Sequence, residues 1–117
     1  MELLNGERVL AFDLETTGIS TSRDRIVQLA LIGSDVDGSE VSYDRLVNPR
    51  RSIPYEAQRV HGISDSDVRG EPDFSAIADQ VAALIQGSVL VGHNVRKFDM
   101  PMLRLSLIHI SEPTRPY

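Results

Sequence analysis

The sequence predicts one α/β layered domain: an antiparallel meander of three strands, a helix, and a crossover into a further strand and a second helix. Three observations carry the prediction. Apolar runs of strand length recur with turn residues between them, residues 73–85 repeat apolar side chains at helical spacing, and a short apolar run follows Gly87. At 117 residues the chain has room for one domain of about four strands and two main helices.

The first strand is Val9-Leu10-Ala11-Phe12 continued by Asp13-Leu14-Glu15, mostly apolar and turning polar at its C-terminal end, with Thr16-Thr17-Gly18 as the turn. Ile26 to Gly33 is the second strand, and Asp37-Gly38 signals a hairpin. The third runs from Glu40 to Val47 and stops at Asn48-Pro49. Ile53-Pro54-Tyr55-Glu56 opens a short helical turn ending at His61-Gly62. Ser64 to Asp67 and Gly70-Glu71-Pro72 read as loop. From Asp73 to Ile85, Phe74, Ile77, Ala78, Val81, Leu84 and Ile85 share one helical face, with Asp73 as N-cap and Gly87 as the stop. Val89-Leu90-Val91 is a fourth, short strand, and Phe98 to about Leu107 a further helix. Residues 106–117 have two prolines and no period, and resemble translated sequencing-adapter sequence; they are set apart as a non-native tail.

Composition narrows the function classes. No run approaches the ~18 apolar residues of a membrane span, and the absence of cysteine excludes disulfides, iron–sulfur clusters and thiolate zinc sites. No secretory signal opens the chain, and a cytoplasmic setting without membrane contact is expected. Seventeen acidic against twelve basic side chains give a net charge of −5. That balance disfavours coating nucleic acid by bulk electrostatics, but not gripping a few phosphates through metal ions. Of the basic residues all but Lys97 are arginine, and Arg50-Arg51 faces either phosphate or water.

Asp13 and Glu15 are i and i+2 of a strand, so both carboxylates point to one side, with Cα atoms roughly 6–7 Å apart. The pair suits shared metal ions, and equally a solvated strand end. Asp99 follows Val89 to Asn94, a strand running into a polar loop, and is either a helix cap or a third acid. A short parallel strand beside the first would bring its following loop toward Asp13 and Glu15, at the sheet edge where open α/β sheets bind ligands. His61 alone reads as a helix C-terminal residue, and His93 as structural.

Together Phe12-Asp13-Leu14-Glu15-Thr16-Thr17-Gly18, Val60-His61-Gly62-Ile63-Ser64-Asp65 and Gly92-His93-Asn94-Val95-Arg96-Lys97-Phe98-Asp99 resemble the DEDD superfamily of 3′-to-5′ exonucleases, in particular its epsilon-type proofreading branch. The resemblance covers about Arg8 to Leu105. It implies a ribonuclease-H-like fold, a mixed sheet with three antiparallel strands and a parallel fourth, and two Mg²⁺ or Mn²⁺ ions. It makes Asp13, Glu15 and Asp99 the catalytic and metal-binding acids. Thr16 and Thr17 lie against the terminal nucleotide, Val60, His61 and Phe98 wall its pocket, and Asn94 is a polar neighbour. The implied partner is a single-stranded or frayed 3′ end of DNA, with RNA as the alternative substrate and a DNA polymerase as a possible associate.

One departure matters. The superfamily's last motif, a His followed five residues later by a fourth Asp, is missing, and His109 is followed at that distance by Thr114. Residues 1–105 are therefore expected to be the N-terminal portion of an exonuclease domain, C-terminally incomplete, and weak or inert as an enzyme without its general base. The other reading is a catalytically inert fragment that keeps metal and nucleic-acid binding.

Overall fold

The computed structural model describes residues 6–20 and 23–92. Residues 93–117, with Asn94, Phe98, Asp99, the predicted second helix and the predicted tail, lie outside them.

Four strands, β1 (Arg8–Thr16), β2 (Ile26–Ser34), β3 (Glu40–Leu46) and β4 (Ser88–Val91), form one sheet in the order β3-β2-β1-β4. β1 pairs antiparallel with β2, β2 antiparallel with β3, and β4 parallel with β1. The mixed sheet is the predicted one. A parallel neighbour requires a long crossover, and three helices lie along it: α1 (Tyr55–His61), α2 (Asp65–Val68) and α3 (Phe74–Ile85).

Strand alternation decides the faces. Leu10, Phe12 and Leu14 of β1 are buried with Leu29 and Leu31 of β2, Val47, and Ile77 and Val81 of α3. The helical stripe read from the sequence is the face that seals this side. Each such side chain, fully buried, contributes about 1.5–3 kcal/mol. A second cluster, Val27, Ile53, Ile63 and Val68, joins α1 and α2 to the sheet, with Leu46 packed against it.

The element ends have local causes. Asp73 caps α3 by accepting from the Ala76 amide at 3.2 Å, and Gly62 ends α1 at φ 75°. Gly38 turns the β2–β3 hairpin at φ 86°. Arg50 adopts φ 59°, its amide donating to Asn48 Oδ1 at 2.8 Å and its guanidinium paired with Asp73.

One expectation is corrected. The segment Ser64 to Asp67, expected to be loop, opens a one-turn helix. Ser64 Oγ accepts from the Asp67 amide and Asp67 Oδ2 accepts from the Ser64 amide, a reciprocal capping box. Val68 is buried and Asp65 Oδ1 accepts from the Ile53 amide at 2.8 Å, so tertiary contact fixes a turn too short to show a period.

Among the described residues no helix is long and apolar enough to cross a membrane. At the start of β1, on the sheet face opposite α3, Val9, Ala11, Ile32, Val36 and Val91 line an open cavity of about 610 Å³. Asp13, Glu15 and His61 do not line it.

Candidate active site

Asp13 and Glu15 stand on the face of β1 opposite Leu10, Phe12 and Leu14, one exposed and one half-buried. Across the sheet Asp13 is in register with Ala30 and then Asp44, and Glu15 with Gln28 and then Leu46. Residues in register share a face, so Leu46 and the second apolar cluster, and with them α1 and α2, stand on the side of the acids. Gln28 Nε2 donates to Asp44 Oδ1 at 3.1 Å.

Partial burial, and after it the negative charge of Asp13, hold the Glu15 carboxyl above its ordinary range; His61 offsets part of this. The shift shows the two acids sensing each other. It also sets a sign. A carboxyl whose folded value lies above the unfolded 4.5 carries no penalty at low pH and costs the folded state stability as pH rises past 4.5. Glu15→Gln is therefore expected to melt higher than the parent at pH 7 without divalent ions and equally at pH 3.5. Thermal melts at the two pH values check this; a gain that persists at pH 3.5 would locate its cause elsewhere than ionisation.

The end of β1 is held from two sides. His61, the last residue of α1, bonds Thr16 O through Nε2 at 3.1 Å, and its Nδ1 accepts from the Ile63 amide at 3.0 Å. Since Nδ1 accepts, the ring carries its proton on Nε2 and donates it to the Thr16 carbonyl. His61 thus ties α1 to the strand end rather than capping its own helix.

Thr16 and Thr17 are buried. Thr17 Oγ1 donates to Asp24 Oδ1 at 2.9 Å and accepts from the Arg25 amide at 3.0 Å, and the Thr17 amide donates to Arg25 O at 2.8 Å. Thr16 Oγ1 donates to Gly18 O. Both threonine hydroxyls are used inside the loop. Asp24 Oδ2 accepts from the Ser20 amide at 2.8 Å, and a Cβ on Gly18 would stand 2.6 Å from that same oxygen. Gly18 is thus needed for clearance, and Asp24 is the hub of the loop. No pattern in the sequence marks Asp24, whose spacing from Thr17 follows no period.

Two apolar side chains beside this loop face solvent: Ile19 at 93% exposure and Val60 at 84%. Val60 was anticipated from the resemblance; Ile19 was not. Tyr55, also exposed, lies with the Arg59 guanidinium 6.0 Å from its ring centre.

Of the anticipated residues the structure brings together Asp13, Glu15, Thr16, Thr17 and His61, with Val60 adjacent in chain to His61. Asn94, Phe98 and Asp99 lie outside the described residues. Among the described residues no group of three or more potential metal ligands occurs. β4 runs parallel to β1 with Val91 in register with Ala11, so the chain reaches Gly92 travelling toward the Asp13 end of the sheet.

Comparison with known proteins bears on the family and the fold. The sequence model of the family described as "Exonuclease" matches residues 10–115, a span that includes most of the segment set apart as a tail. A DNA polymerase III subunit epsilon of Treponema pallidum is 34% identical over 97 residues, 83% of this chain and 45% of that protein. The 3′-5′ exonuclease DinG of Bacillus subtilis is 32% identical over 105 residues, 89% of this chain and 11% of that protein. The chain thus spans less than half the length of these relatives. Exonuclease I of E. coli, solved with a dA16 oligonucleotide, superposes with a TM-score of 0.78 at 22% identity over 89% of this chain and 24% of that one, a likeness of fold. By its sequence match over nearly all of its length, the chain belongs to the exonuclease family.

Proposed function

We propose that the chain supplies the metal-binding and 3′-end-binding side of a divalent-metal-dependent 3′-5′ exonuclease that releases nucleoside monophosphates from single-stranded or frayed DNA. The observation that carries this is the same-face pair Asp13 and Glu15, mutually repelling at the end of the central strand. A half-buried carboxylate beside a second, exposed one is costly unless a cation lies between them, so the donor set fits hard divalent ions.

Asp13, Glu15 and Asp99 would hold two Mg²⁺ or Mn²⁺ ions, which supply activation of water and stabilisation of the leaving 3′-oxygen. The remaining work falls to the chain itself. Thr16 and Thr17 shape the loop from within, and His61 fixes the Thr16 carbonyl that begins it. Ile19 and Val60 present apolar surface to the terminal base, a contact tolerant of sequence. By the family resemblance, Phe98 and Asn94 would belong to the same pocket. The relatives named as polymerase III epsilon subunits make a DNA polymerase the candidate partner.

The test is digestion of matched 5′-labelled DNA and RNA oligomers by the chain extended through the natural continuation of its gene. The expected result is a ladder shortening by single nucleotides from the 3′ end of DNA, dependent on Mg²⁺ or Mn²⁺. Internal cuts, or a ladder from the 5′ end, would overturn the reading; preference for RNA would move it to an exoribonuclease. Because the family's His-and-Asp last motif is not found in the sequence, the 117 residues alone are expected to turn over slower by orders of magnitude.

A further inference from the structure

The loop after β1 concentrates positive charge in a chain whose net charge is −5. Arg25 donates from Nη1 to Arg23 O at 3.1 Å and to Asp24 O at 3.1 Å, and Arg51, from a distant part of the sequence, donates from Nη1 to the same Arg23 O at 2.6 Å. Two guanidinium groups are thereby neighbours on one main-chain oxygen. The third, Arg23, turns its Nε to Ser20 Oγ at 3.5 Å. All three residues are exposed.

A carbonyl oxygen is a dipole and cannot cancel these charges. Among the described residues the ion pairs are Arg8 with Asp35 and Arg50 with Asp73; none involves Arg23, Arg25 or Arg51. Asp24 lies between two of them in sequence, but its oxygens face inward to Thr17 and Ser20. Clustered guanidinium forks without a carboxylate suit phosphate, and an arriving anion relieves their mutual repulsion.

The location supplies the second half of the argument. Arg25 is laced to Thr17 by two main-chain contacts, Thr17 N to Arg25 O at 2.8 Å and Arg25 N to Thr17 Oγ1 at 3.0 Å. Thr17 is two residues beyond Glu15, roughly 7 Å along the strand. Measured along the chain, the patch therefore begins just past the end of β1 that carries the acids, where Arg25 also borders Ile26 and Phe74 on the α3 side. We infer that Arg23, Arg25 and Arg51 form a phosphate-binding patch that grips the backbone of the nucleic-acid strand behind the nucleotide seated at Asp13 and Glu15. The patch rests on the exonuclease reading for which strand it holds.

The experiment is fluorescence anisotropy of a labelled single-stranded oligo-dT and an oligo-U of equal length, titrated with the chain over a KCl series in EDTA. Each arginine that neutralises a phosphate contributes about 0.7 to the slope of log K against log[salt] for a single strand. Arg23→Ala/Arg51→Ala is expected to flatten the slope by about 1.4 for both oligomers, with an unchanged melting temperature because both side chains are exposed. Parent-like slopes in the double variant, or no binding by the parent at low salt, overturn the patch. A flattened slope alongside failure of the 3′-end ladder leaves the patch standing and removes only the exonuclease reading. An active exonuclease with an unaltered slope does the reverse.

Discussion

Asp13→Asn is expected to lower mononucleotide release by at least about 10³-fold, some 4 kcal/mol of transition-state stabilisation. The substitution keeps the shape of the side chain and removes one charge. Asp13 is exposed, with its neighbours Phe12 and Leu14 turned into the core, so the fold has no reason to suffer. The loss should therefore appear at unchanged melting temperature and be partly recovered by raising Mn²⁺, as weakened ion binding requires. The same substitution removes the repulsion felt by Glu15, whose carboxyl should return toward its ordinary value. Equal rates in the parent and Asp13→Asn, measured on the chain with its gene's natural continuation, would detach the acid pair from the chemistry.

The second large effect is on stability. Gly33→Ala is expected to cost about 1–3 kcal/mol or more, read from the midpoint of urea unfolding. Gly33 lies on β2 in register with Leu10 of β1. A Cβ built there would overlap Val9 O, and Val9 O is backbone that cannot swing aside. The two strands would have to part where Leu10, fully buried, anchors the core. With domain stabilities of only about 5–15 kcal/mol, this is a large fraction of the total. A neutral outcome would mean that β1 and β2 separate cheaply at this point. Gly38→Ala is a useful contrast: its strain is conformational, at φ 86°, with nothing within 4 Å.

These two residues also show where the sequence was informative. The strand carrying Asp13 was legible because alternating burial leaves a plain trace: Leu10, Phe12 and Leu14 inward, Asp13 and Glu15 outward. The stripe of α3 was legible for the same reason at a helical period, down to Asp73 as its cap. Gly33 was not, since a glycine within a strand is silent until its cross-strand neighbour is known. The one-turn α2 was missed because its capping box acts over only four residues. The expectation that residues 106–117 are foreign rests on their prolines, their lack of a period and their likeness to translated adapter sequence.

By itself the sequence determined the strand and helix periods, the facing of Asp13 and Glu15, and the resemblance that predicted a parallel fourth strand. The periods and the facing are properties of one segment at a time, which local periodicity encodes, and the resemblance rests on three separate motifs taken together. Only the tertiary structure decided that His61 locks the Thr16 carbonyl, that Asp24 fills the space Gly18 leaves, and that Arg51 meets Arg25 on a single oxygen. The first and last join residues far apart in the chain, and the Gly18–Asp24 fit lies within one loop whose course no period encodes; all three depend on where the sheet and α1 bring segments together.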